Sequence, residues 1–68
     1  MARTARFMDM LRKLREAKKM TQEQLAERVG VTREYITMLE NGARTNPTMD
    51  MLKKLAKALK VTVGELVE

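Results

Sequence analysis

Residues 21–42 read TQEQLAERVGVTREYITMLENG. Thr21 followed three positions later by Gln24 is a capping box, so the spacing predicts a helix opening at Gln22. Leu25, Ala26 and Val29 share one face of it, and Gly30 supplies the left-handed residue that closes a helix. Thr32 then caps a second helix from Arg33 to about Glu40, with Ile36 and Leu39 inward and a left-handed Asn41 expected before Gly42. Two short amphipathic helices joined at a glycine are the layout of a helix-turn-helix, a unit whose second helix fits the major groove of DNA.

Working outward, Phe7, Met10, Leu11, Leu14 and Ala17 recur at the spacing of one helical face, which predicts a first helix from about Ala5 to Lys18. Pro47 biases Asn46 away from the α region, so residues 43–47 read as a polar loop. Thr48 caps a fourth helix that turns Leu52, Leu55, Ala56 and Leu59 inward and Lys53, Lys54, Lys57 and Lys60 toward solvent. Thr62 with Glu65 opens a short fifth helix. The expectation is an all-α, compact five-helix domain over residues 1–68, with residues 1–5 as a flexible basic arm. Arg3 and Arg6 either touch DNA backbone or minor groove or stay disordered.

Sixty-eight residues are close to the lower limit for a chain that folds alone. The chain has no Cys and no His, so neither a disulfide nor the usual metal ligands can reinforce the core, and no metal or cofactor is expected. Lys and Arg number 14 against 9 acidic residues, for a net charge of +5. A polyanionic partner is the first inference from that balance. No run approaches the ~20 apolar residues of a membrane span, so a cytoplasmic protein without a membrane partner is expected. Without His or Cys the commonest general base and the thiolate nucleophile are missing, and no Gly-rich phosphate loop is present, which argues against an enzyme.

At 100° per residue, Arg33, Thr37, Asn41, Glu34 and Met38 fall at 0, about 40, 80, 100 and 140° around the second helix of the unit. Tyr35, Leu39 and Ile36 lie at roughly 200 to 300°, so the core face and this polar face do not compete. Arg33 can donate two parallel bonds to guanine O6 and N7, Glu34 can accept from cytosine N4, and Met38 can pack on a thymine methyl, while Thr37 suits several bases. An ordinary solvated surface helix would show the same polarity. Met38 favours a partner, being an apolar side chain among polar ones, whereas Glu34 opposes nearby phosphates unless a donor compensates it.

The segments LRKLREAKKMTQEQLAERVGVTREYITMLENG, NPTMDMLKKLAKAL and VTVGELV together resemble the lambda-repressor-like, Cro/C1-type (XRE) helix-turn-helix proteins over almost everything after residue 10. The resemblance implies that Gln22 clamps a phosphate with its side chain and amide, and that Arg33, Glu34, Thr37 and Met38 read bases. It further implies that Thr32, Tyr35, Asn41 and Arg44 face the sugar-phosphate backbone, and it pairs Arg15 with Glu40 as a structural ion pair. Glu34 and Met38 depart from the polar Gln or Ser frequent in the family, so the target sequence does not carry over.

A sequence-specific regulator of transcription that binds double-stranded DNA is therefore the leading expectation, with a protein-interaction module of the same fold, such as an antitoxin or coactivator, as the alternative. No effector domain is evident, so no small-molecule ligand is expected. Val61, Val63, Leu66 and Val67 leave an apolar tail after the fourth helix, which predicts a homodimer interface, the alternative being closure of the monomer core.

Overall fold

The connections between helices repeat one local device. The computed structural model describes residues 3–44 and 47–67, with side chains from residue 7 onward. Its helices are α1 (Arg3–Ala17), α2 (Gln22–Val29), α3 (Arg33–Asn41), α4 (Met49–Leu59) and α5 (Val63–Val67). Helices α1, α2 and α4 each end in a left-handed residue, namely Lys19, Gly30 and Lys60 at φ 57°, 89° and 59°. The next residue, Met20, Val31 or Val61, folds back to donate its amide to a carbonyl of the helix just ended, on Arg15, Ala26 and Ala56 respectively. All three side chains are partly buried against the core. A threonine then caps the following helix: the Thr21, Thr32 and Thr62 hydroxyls accept the amides of Gln24, Tyr35 and Glu65 at 3.0, 3.1 and 3.0 Å. A left-handed stop, an apolar anchor and a threonine cap thus reverse the chain in three residues.

Ten buried apolar side chains form the core: Phe7, Leu11, Leu25, Ala26, Val29, Ile36, Leu39, Leu55, Leu59 and Leu66. Helix α2 packs on α3 and α4, while α1 packs on α3 and α5 and α4 closes on α5. The result measures 30 × 23 × 22 Å and holds α3 at the surface on an inner face of Ile36 and Leu39, both wholly buried.

Three expectations are corrected. Helix α1 begins at Arg3 and ends at Ala17, so the arm expected over residues 1–5 is helical from Arg3; residues 1 and 2 lie outside the described residues. Ala17 is exposed although it keeps the apolar spacing, because the helix ends there and Met20 covers the core in its place. The left-handed residue after α3 is Gly42 at φ 87°, with Asn41 completing the helix and its side chain accepting the Ala43 amide at 2.9 Å. A Cβ on Gly42 would stand 2.7 Å from the Met8 sulfur, so a side chain there would displace the end of Met8 as well as strain the backbone.

Candidate nucleic-acid interface

The second helix of the pair presents two chemically distinct sides. Ile36, Leu39 and Glu40 are buried, whereas Arg33, Glu34 and Asn41 are exposed and Thr37 and Met38 half-buried, so the five polar-face residues occupy one outward surface. Capping by Thr32 holds the first turn, which carries Arg33 and Glu34, at the solvent edge. Because the Thr32 hydroxyl oxygen accepts from Tyr35, its proton remains to give outward. Asn41 accepts with its side-chain oxygen and keeps its NH2 group as a donor. Arg44 donates its amide to the Met38 carbonyl at 3.1 Å, and its guanidinium lies 5.5 Å from the centroid of the half-buried Tyr35 ring. That cation–π contact sets the exposed Arg44 charge beside Tyr35, in the N-terminal half of α3. The rim of the helix is therefore rich in donors suited to phosphate oxygens.

Behind the helix lies a connected polar network. Arg15 of α1 donates from Nε to Glu40 Oε2 at 2.7 Å and from Nη2 to Glu40 Oε1 at 3.1 Å, while its Nη1 donates to the Met20 carbonyl at 2.8 Å. Side-chain exposure is 10% for Arg15 and 4% for Glu40, so the pair sits largely outside water. The hydrogen bond to Glu40 raises the Arg15 pKa first of all, burial opposes it, and the Glu40 and Glu16 charges raise it further. A guanidinium pulled upward stays charged, so its contribution is complete below its unfolded-state pKa and is lost only in strong alkali.

Gln22 extends this network. Its Nε2 donates to Glu40 Oε1 at 3.0 Å, and its Oε1 accepts from the Thr37 hydroxyl at 2.8 Å. The half-buried glutamine thereby joins the ion pair to the outward face of α3, and its second Nε2 proton and helix-terminal amide have no hydrogen-bond partner among the described residues. Sequence reasoning missed this link, since its members stand 15 and 18 residues apart and no periodicity relates them. Among the described residues no buried side-chain nitrogen or oxygen lacks a hydrogen-bond partner.

The tail is also corrected. Leu66 is wholly buried in the monomer core, because α5 packs against both α1 and α4, and it cannot face a partner. Val61 and Val63 are half-buried, and Val67 remains 40% exposed. The Lys53, Lys54, Lys57 and Lys60 side is exposed as the periodicity of α4 requires, with Lys54 3.4 Å from Asp50.

A two-helix unit locked by a glycine turn, with a polar outer face on its second helix, defines a helix-turn-helix DNA-binding regulator fold. The chain belongs to the XRE-type helix-turn-helix family, whose pattern it matches over residues 11–66. In structure it is similar to the restriction-modification controller protein C.AhdI from Aeromonas hydrophila, with TM-score 0.87, 40% identity, and coverage of 93% of this chain and 94% of that one. It is also similar to SinR, a master regulator for biofilm formation solved in complex with DNA, with TM-score 0.87, 29% identity, and coverage of 91% and 98%. Hydroxypropylphosphonic acid epoxidase from S. wedmorenis aligns with TM-score 0.89 and 31% identity over 96% of this chain but only 34% of its own, so that likeness is confined to about a third of the enzyme. No curated protein matches the chain at a significant level. Among the described residues no helix is long and apolar enough to cross a membrane.

Proposed function

We propose that the protein is a cytoplasmic, sequence-specific transcriptional regulator that sets α3 into the major groove of an inverted-repeat operator as a homodimer. The outward face of Arg33, Glu34, Thr37 and Met38 carries this reading, since it combines a guanine-type donor, acceptors for exocyclic amines and an apolar group suited to a thymine methyl. Thr32, Asn41, Arg44 and the free proton of Gln22 flank that face and, with Tyr35 at its border with the core, serve the backbone. The net charge of +5 supports association with a polyanion. SinR, similar over almost its whole length, is solved on DNA, which favours the same use of this fold here. Of the two regulators, C.AhdI shares the higher identity, which favours the role of a restriction-modification controller.

Binding to duplexes selected from a random pool tests the reading. If each subunit neutralises ~4 phosphates, the dimer shows a log–log salt slope near about −7, with selected sites preferred over scrambled ones by ~10³ or more at fixed salt. Equal affinity for both kinds of duplex defeats it.

A further inference from the structure

Hydrogen-bond capacity propagates through the polar network in one direction only. Arg15 can donate but not accept, so both Glu40 oxygens are acceptors in its two bonds. The end of Gln22 that meets Glu40 Oε1 at 3.0 Å must therefore be the NH2 group, which turns the amide oxygen toward Thr37. An amide oxygen cannot donate, so the 2.8 Å contact to Thr37 uses the hydroxyl proton. The other neighbour of this hydroxyl is the Arg33 carbonyl at 3.1 Å, which also only accepts. A hydroxyl has one proton, and both of its hydrogen-bond neighbours among the described residues are acceptors that claim it. What Thr37 presents outward is lone-pair capacity alone.

We infer that the ion pair, acting through Gln22, converts Thr37 from a two-way hydrogen-bonding group into a one-way acceptor that selects a base carrying an exocyclic amine in the major groove, cytosine N4 or adenine N6. This rests on the placement of α3 in the groove. A freely rotating threonine hydroxyl serves either donors or acceptors on a base edge. Held as it is here, it meets guanine O6 or thymine O4 with lone pair against lone pair. Thr37 thus becomes a specificity-determining residue, Gln22 and Glu40 its positioning residues, and the Arg15–Glu40 pair gains a consequence for recognition beyond stability.

The test measures affinity on a panel in which each position of the selected half-site is changed to all four base pairs, for the wild type, Thr37→Ser, Thr37→Val and Gln22→Leu. At one position the wild type prefers an amine-bearing base by about fivefold, the size of a single net hydrogen bond. Replacing that base by its analogue lacking the amine, purine for adenine or 2-pyrimidinone for cytosine, abolishes the preference. Thr37→Ser retains it, whereas Thr37→Val flattens that position alone and leaves the salt slope unchanged. Gln22→Leu lowers the preference ratio there whatever it does to overall affinity. Unchanged base preferences in Thr37→Val, a Thr37-dependent preference for guanine or thymine, or an undiminished ratio in Gln22→Leu overturns the inference while leaving sequence-specific binding intact. Equal wild-type affinity for selected and scrambled duplexes overturns the regulator reading and this inference together.

Discussion

Arg33 and Arg44 are both exposed cations within one helix length of each other, yet their surroundings differ. Arg33 stands in the capped first turn of α3 with no salt-bridge partner among the described residues. Arg44 is drawn over the Tyr35 ring, at the rim. On the preferred operator Arg33→Ala is expected to cost about 1–3 kcal/mol and to relax specificity at one position, while Arg44→Ala weakens all sequences alike and lowers the salt slope by about one. Titrations of both variants on specific and scrambled DNA at several salt concentrations check this, and identical profiles would show the roles to be misassigned. Arg15 and Glu40 are a different case, because each is buried against the other. Removing either strands a charge, so Arg15→Met or Glu40→Gln alone costs about 3–5 kcal/mol, and a double-mutant cycle in urea unfolding shows strong coupling. By contrast Arg12 lies 3.7 Å from Asp9 with both side chains more than half exposed, and Arg12→Ala leaves stability nearly unchanged.

At the scale of the element, the three-residue reversal works with two different stops. Gly30 takes the left-handed conformation without a Cβ, whereas Lys19 and Lys60 take it with one, at φ 57° and 59°. Both lysines are exposed, so their side chains offer little packing to offset the strain. Lys19→Gly and Lys60→Gly are therefore each expected to stabilise the fold by about 0.5–1 kcal/mol, read as a rise in urea midpoint at constant slope, and Gly30→Ala to destabilise it. A fall in stability for both lysine variants would mean that the αL strain is smaller than the entropy glycine brings to the unfolded chain. Since Lys60 begins the connection into α5 and Lys19 the one into α2, these changes leave the outer face of α3 untouched.

For the whole molecule the question is what covers the end of the chain. Leu66 is spent on the monomer core, which leaves Val67 at 40% exposure together with half-buried Val61 and Val63 as the apolar surface of the tail. A two-fold contact through these valines would place two α3 helices to enter major grooves about one helical turn apart, ~34 Å, hence the inverted repeat. Sedimentation at micromolar concentration is expected to give twice 7.8 kDa, and Val67→Arg a folded monomer with much weaker operator binding. Leu66→Arg is expected to unfold the chain instead, as it places a charge in a wholly buried site. A wild-type monomer that fills a half-site without cooperativity would remove the dimer from the account.

Sequence alone determined where α2, α3, α4 and α5 begin, because caps are local. Thr21 with Gln24, Thr32, Thr48 and Thr62 with Glu65 each act within three residues, and the structure begins α2, α3, α4 and α5 directly after these threonines. The polar face of α3 was legible for the same reason, since 3.6-residue periodicity separates it from Ile36 and Leu39. Burial and long-range partnership were decided only by the tertiary structure. Leu66 and Val67 are adjacent aliphatic residues in sequence, and only the packing of α5 against α1 and α4 makes one core and the other surface. Ala17 keeps the pattern of a core residue and loses the role because its helix ends. The path from Arg15 through Glu40 and Gln22 to Thr37 joins three helices, and its direction follows from donors and acceptors that meet only when those helices dock. Periodicity places a side chain on a face, whereas what that side chain can still offer to a ligand depends on which of its hydrogen bonds the rest of the fold has already taken.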